Sequence, residues 1–122
     1  MKQLTRVLKV LADKNRLRIL KLLEKRKFCV CELAAVLGIT QPSTSRHLKK
    51  LKAAGLIDDE QEGFWTNYFI GSAKDSYSRF MLKHIRGWLN ADPLIKSDLE
   101  KSGKINRKKL CCKAVRLIKE RD

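Results

Sequence analysis

The stretch ITQPSTSRHLKKLKAAGLI, residues 39–57, decides the fold. Thr40 is a strong N-cap, and Pro42 suits a first helical turn, where its missing N–H costs nothing. Leu48 and Leu51 point to a core, and Gly55 ends the helix. Just upstream, Gly38 suits the C′ position of a short helix around Cys31–Leu37. Two helices joined by Gly38-Ile39-Thr40 form a helix-turn-helix.

The second of these helices is polar at its start and basic later. Gln41, Ser43, Thr44 and Ser45 are short enough to let a helix end enter the major groove. Arg46 and His47 can reach bases or phosphates, and Lys49, Lys50 and Lys52 suit the DNA backbone. A helix N-terminus at Thr40 also attracts phosphate. Any single lysine here could be plain solvated surface. The capped start, the short turn and the absence of acid in residues 41–55 together point to DNA. The expected DNA-binding set is therefore Thr40, Gln41, Ser43, Thr44, Ser45, Arg46, His47, Lys49 and Lys50.

Working outward, residues 56–70, LIDDEQEGFWTNYFI, change period. Leu56-Ile57 should begin a strand, the acidic stretch with Gly63 should turn, and Phe64–Ile70 should return. A hairpin directly after a helix-turn-helix is the layout of a winged helix, mainly α with a β-hairpin wing. Upstream, Leu4, Val7, Leu8 and Leu11 make a helical stripe. Asp13 caps a second helix whose apolar side is Leu17, Ile19, Leu20 and Leu23. Downstream, Ser72 could cap a helix over about Asp75–Asn90, with Phe80, Met81, Ile85, Trp88 and Leu89 apolar. Pro93 breaks it; a short helical piece follows, then Ser102-Gly103-Lys104 as a hinge, then a basic helix over 105–121. This divides the chain into a winged-helix and dimerisation domain (1–92) and a basic extension (93–122). A helix as apolar as FMLKHIRGWL needs a partner, and two-fold symmetry would match half-sites about one helical turn apart.

The charge agrees with this reading. The 122 residues carry 28 Lys+Arg and 13 Asp+Glu, a net charge of +15. Such a field draws polyanions. Residues 1–27 hold ten basic and two acidic side chains, and residues 101–122 hold nine and two. No apolar run is long enough to span a membrane, and the charged N-terminal stretch has no signal-peptide core, so a cytoplasmic location is expected. An enzyme is disfavoured, because there is no phosphate-cradling loop, no Cys-x-x-Cys and no acid/base cluster. No organic cofactor and no protein partner beyond a second copy is implied. A basic protein that merely coats nucleic acid is a rival, and it would show no operator preference.

The four cysteines come as two pairs, Cys29/Cys31 and Cys111/Cys112. In a reducing compartment close pairs favour ligation or redox chemistry over disulfides. Thiolates select soft ions. Lys25, Arg26 and Lys27 would favour the thiolate form. Residues i and i+2 of an intact helix point about 200° apart. A common ion on Cys29 and Cys31 therefore requires the first turn to be unwound or extended, which should displace the reading helix behind it.

The segments NRLRILKLL, FCVCELAAVLGITQPSTSRHLKKLKAAGLI and EGFWTNYFI resemble the ArsR/SmtB family of bacterial metal-sensing repressors, over about residues 3–90. The resemblance implies a winged-helix homodimer, paired through its first and fifth helices, that represses its operon and leaves DNA on binding metal. CVCEL is similar to the box of the arsenical-responsive branch, which implies trivalent arsenic or antimony as inducer. That branch usually places a third thiol where this chain has Ala34. Either two thiols suffice, as would suit a methylated or phenylated arsenical, or Cys111 or Cys112 completes the set. The expected metal-binding residues are thus Cys29, Cys31, Cys111 and Cys112. The family's zinc pattern on the fifth helix is missing, since Tyr77 follows Asp75 at its histidine position and Gly87 follows His84. A thiol redox-sensing repressor of the same fold is the alternative.

Overall fold

The computed structural model describes residues 1–107 and 110; Cys111, Cys112 and the rest of the expected last helix lie outside the described residues. The element order is α1 (Lys2–Leu11), α2 (Lys14–Leu23), α3 (Val30–Leu37), α4 (Gln41–Ala53), β1 (Asp58–Glu62), β2 (Trp65–Phe69), α5 (Ser76–Gly87) and α6 (Pro93–Lys104). This is a winged helix-turn-helix, mainly α with one hairpin.

Local chemistry sets the boundaries. Asp13 accepts from the Arg16 N–H at 3.1 Å and starts α2. Thr40 Oγ1 accepts from the Ser43 N–H at 3.2 Å and starts α4. Gly38, at φ 71°, ends α3 in the left-handed region that glycine adopts without a Cβ clash. The core gathers Val7 and Leu11 of α1, Ile19, Leu20 and Leu22 of α2, and Leu33 and Val36 of α3. Leu48 and Leu51 of α4, Leu56 and Ile85 complete it. Each such side chain contributes roughly 1.5–3 kcal/mol by leaving water.

Four expectations change. Asp75, not Ser72, caps α5, accepting from the Tyr77 N–H at 2.9 Å; a carboxylate one residue from the helix outcompetes a distant hydroxyl. That helix stops at Gly87, with Leu89 at φ 66°. Ser102-Gly103-Lys104 is no hinge but the last turn of α6, where the Ser102 hydroxyl donates to Leu99 O at 2.7 Å. The acidic run is not the turn but β1 itself, paired antiparallel from Asp58↔Phe69 to Glu62↔Trp65. A two-stranded hairpin leaves β1 an outer edge, where charged side chains face water and meet cations.

α6 lies on α2 and α3 rather than standing apart. Ile95 is buried there, and so is Asp98, only 1% exposed. The Arg18 guanidinium grips Asp98 with two hydrogen bonds, at 2.8 and 2.9 Å, and also reaches Asn15. A bidentate pair this deep is costly to break singly, because the survivor keeps its charge without compensation. Asp98→Ala should lower unfolding free energy by about 3 kcal/mol in urea titration, whereas the double replacement Arg18→Met with Asp98→Leu should recover most of that loss.

Candidate nucleic-acid interface and thiol site

Most of the expected reading residues share one side of α4. Gln41, Ser45, Arg46, Lys49 and Lys50 are exposed, as are Pro42 and Lys52. Thr40 is exposed at the cap, its side-chain oxygen occupied by the Ser43 N–H, and Ser43 is half-buried. Thr44 must be withdrawn from the set. It is fully buried, and its hydroxyl donates to Thr40 O at 2.9 Å, so it packs the helix onto the core.

His47 is tied to α2 as well as to the helix that carries it. It is half-buried, and its Nδ1 accepts from Arg16 Nε at 3.2 Å. Arg16 also donates to Val10 O at 3.0 Å and lies 3.5 Å from Asp13. A chain of contacts thus runs from the N-cap of α2 to the reading helix. Desolvation holds the His47 pKa below its ordinary 6.5; Asp13 opposes this, while Arg16, Lys50 and Arg46 add to it. The ring is therefore neutral at pH 7, as an acceptor of the Arg16 N–H must be.

The wing is clamped from three directions by its acidic strand. Lys52 of α4 meets Asp59 at 2.9 Å. Lys27, before α3, meets Glu60 at 2.6 Å, and its ammonium also sits over the Phe69 ring at 4.8 Å. Arg107, after α6, lies 3.9 Å from Glu62 and 4.1 Å over the Trp65 ring. Side chains alternate across a hairpin. Asp59 and Tyr68 therefore face α4, while Glu60, Glu62, Trp65, Asn67 and Phe69 face the other way.

The thiol box starts from this wing. Phe28 and Tyr68 exchange both backbone hydrogen bonds, at 3.2 and 2.8 Å, in an isolated antiparallel bridge. Cys29 follows as the N-cap of α3 with extended backbone, φ −90° and ψ 168°. It is buried, and its N–H donates to Glu32 Oε1 at 3.0 Å in a capping box. Cys31 is half-buried within the first turn. Cys29 thus stands outside the helix, not on it, so the two sulfurs are not held about 200° apart as two helical positions would be. Two of the neighbouring cations have carboxylate partners: Arg26 pairs with buried Glu32 at 3.1 Å and stacks over Phe28 at 3.7 Å, and Lys27 is held by Glu60. Among the described residues no three His, Cys, Asp or Glu side chains gather as a metal-holding group.

One buried residue escaped the sequence reading. Lys21 is 2% exposed; its ammonium donates to Ile85 O at 2.9 Å and pairs with Glu24 at 2.8 Å. It ties α2 to the C-terminal end of α5. A lysine among ten basic residues in 1–27 carries no local signal of burial.

A reading helix, a clamped wing and a thiol-bearing cap together make the layout of a winged-helix DNA-binding regulator. The description "Bacterial regulatory protein, arsR family" matches residues 13–59. The chain is similar to the arsenic resistance transcriptional regulator ArsR1 of Pseudomonas putida KT2440, 37% identical over 93 residues, 72% of this chain and 73% of that protein. It is also similar to that organism's arsenic resistance regulator ArsR2, 32% identical over 111 residues, 87% of this chain and 95% of that protein. Among solved structures it resembles the homodimeric winged helix-turn-helix domain of Mb0332 from Mycobacterium bovis, a possible ArsR-family regulator. That likeness has a TM-score of 0.60 and 31% identity, covering 70% of this chain and 77% of the other. The chain belongs to the ArsR family of regulators of transcription.

Two predictions follow from the interface. Arg46→Ala and Lys49→Ala should each weaken duplex binding about tenfold and flatten the salt dependence by roughly one phosphate contact, read by fluorescence anisotropy across a salt series. His47 binds a proton more readily unfolded than folded, so stability should rise with pH up to about the ordinary imidazole value and fall on acidification below it. Thermal melts from pH 5 to 8 check this, and His47→Gln should lose that part of the slope.

Proposed function

We propose that the protein is a homodimeric repressor of an operator. In this reading it leaves DNA when trivalent arsenic or antimony, free or singly organo-substituted, bonds the sulfurs of Cys29 and Cys31. The observation that carries the reading is the position of Cys29. It caps α3, follows directly on the residue bridged to the wing, and stands one short helix and a three-residue turn before the reading helix. Thiolates favour soft ions, and a pair this close suits a small thiophilic centre.

The sulfurs belong to an N-cap and a first-turn residue, and the cap is held by Glu32. Drawing Cys29 and Cys31 onto one atom pulls on that capping bond, on the Glu32–Arg26 pair and on the Phe28–Tyr68 bridge. Both DNA-facing elements, α4 and the wing, hang from these contacts. The ligand then stabilises a shape that fits DNA poorly; a coupling of about 3 kcal/mol would shift occupancy more than a hundredfold.

Dimerisation is supported by an uncovered apolar stripe. Phe80 and His84 of α5 and Trp88, the residue that caps its C-terminal end, follow one another, with ring centroids 4.1 and 5.8 Å apart. Phe80 is 60% exposed and Trp88 49%, and Leu8 of α1 is exposed as well. The similar Mb0332 domain is described as homodimeric. No helix among the described residues is long and apolar enough to cross a membrane.

The test uses a duplex selected from a random library by the metal-free protein. Arsenite should release the wild type, while Cys29→Ser and Cys31→Ser should each need at least tenfold more, with metal-free affinity unchanged within about twofold. Release by arsenite from the double serine variant would rule the site out. Release by peroxide or cadmium, with none by arsenite or phenylarsenous acid, would favour a redox or divalent sensor.

A further inference from the structure

We propose that the groove between α4 and the wing seats one phosphate of the DNA backbone, and that the Tyr68 hydroxyl donates to it beside Arg46 and Lys49. This rests on the DNA-binding reading above and adds a wing residue to a set so far confined to α4 and its cap.

Two elements of fixed spacing build the groove. Ser45, Arg46, Lys49 and Lys52 come from α4, and Asp59 and Tyr68 from the wing; together they line a space of about 400 Å³. Ser45, Lys49 and Lys52 follow one another at i, i+4 and i+7, so one stripe of α4 faces the wing. Leu48, fully buried, adds an apolar floor. Asp59 and Tyr68 are directly opposite each other in the hairpin and share its α4-facing side. The Lys52–Asp59 pair, at 2.9 Å, ties one wall to the other. Tyr68 is held from behind as well, through the two main-chain bonds it exchanges with Phe28. The hydroxyl thus projects from a backbone that is fixed in place.

The lining has the chemistry of an anion seat. Three cations stand against one carboxylate, and that carboxylate is already paired with Lys52. Arg46 and Lys49 are exposed and have no carboxylate partner among the described residues. Tyr68 is half-buried; its hydroxyl bonds no other group among the described residues and is not sealed from water, so it opens on the groove. Burial raises its pKa above the ordinary tyrosine value, Asp59 adds to this and Lys52 opposes it. The hydroxyl therefore keeps its proton at neutral pH and can donate it to an acceptor. Phosphate oxygens take charge from Arg and Lys and directional bonds from hydroxyls.

Position selects the DNA backbone as the occupant. For Gln41, Ser45 and Arg46 to reach base edges, α4 must lie in the major groove. A helix there is flanked by the phosphate strands that wall the groove. The wing stands directly beside α4, so the space between them lies in the path of one such strand. A bond from a fixed tyrosine sets where that phosphate sits, and with it the register of α4 on the bases. The hydroxyl is uncharged, so it adds affinity without adding to the salt dependence.

The experiment uses the full-length protein and the duplex it selects when metal-free, with each backbone phosphate replaced in turn by a neutral methylphosphonate. Tyr68→Phe should bind the unmodified duplex about tenfold more weakly and leave the slope of affinity against salt unchanged, whereas Lys49→Ala flattens it. At one phosphate per half-site, methylphosphonate and Tyr68→Phe together should cost less than the product of their separate losses. Lys49→Ala should show the same shortfall at the same phosphate. These ratios are taken within each variant, so a change in its folding does not imitate them. Inorganic phosphate at constant ionic strength should not compete with the duplex. Full multiplicative losses at every position, wild-type affinity in Tyr68→Phe, or coupling of Tyr68 and Lys49 to different phosphates would each overturn the assignment. Competition by inorganic phosphate that Tyr68→Phe abolishes would overturn it too, marking a site for a free oxyanion instead. If no duplex is selected, the DNA-binding reading fails first; if one is selected and no phosphate couples to Tyr68, only this inference fails.

Discussion

Two backbone hydrogen bonds between Phe28 and Tyr68 hold together the parts of this molecule that have to act together. Phe28 is buried and immediately precedes the cap of α3. Tyr68 lies on the inner strand of the wing, on the face turned toward α4. The cysteine box, the wing and the reading helix therefore meet around one short bridge. Backbone pairing suits this duty because its geometry tolerates little slippage, and breaking it strands buried donors and acceptors.

Charge is used in two ways. Over α4 it is unopposed: Arg46, Lys49 and Lys50 are exposed, and no acidic side chain occurs in residues 41–55. Around the wing it is consumed locally. Lys27, Lys52 and Arg107 come from three different parts of the chain and meet Glu60, Asp59 and Glu62 on one strand. Exposed pairs of this kind are each worth little energetically. Their value here is positional, since they fix the wing's angle against elements on both of its faces. An acidic β1 is thus compatible with a DNA-binding protein: three of its four carboxylates, those of Asp59, Glu60 and Glu62, meet the protein's own cations.

The buried polar groups mark where helices are registered against one another. Asp98 with Arg18 seats α6 on α2, and Lys21 holds the C-terminal end of α5 through Ile85 O. His47, neutral and bonded to Arg16, seats the reading helix on α2. Each adds directional contacts to a core that hydrophobic packing alone would leave freer to slide. Thr44 shows the same economy, turning a hydroxyl expected at DNA inward to bond Thr40 O.

The amino-acid sequence by itself determined the helix-turn-helix and most of its caps, because Asp13, Gly38, Thr40 and Pro42 act on the nearest few backbone groups. It also marked the basic reading face and the Cys-x-Cys box, both local in the chain. It misplaced what depends on distant partners. Edge position and cations up to 45 residues away, not β-propensity, make DDEQE a strand. The burial of Thr44 and the bond of His47 to Arg16 are set by the turn's packing and by α2, which periodicity cannot resolve to one residue. The burial of Lys21 and Asp98, and the course of α6 toward the wing, were decided only by tertiary structure. Their partners lie 64 and 80 residues away in the chain, beyond any local pattern.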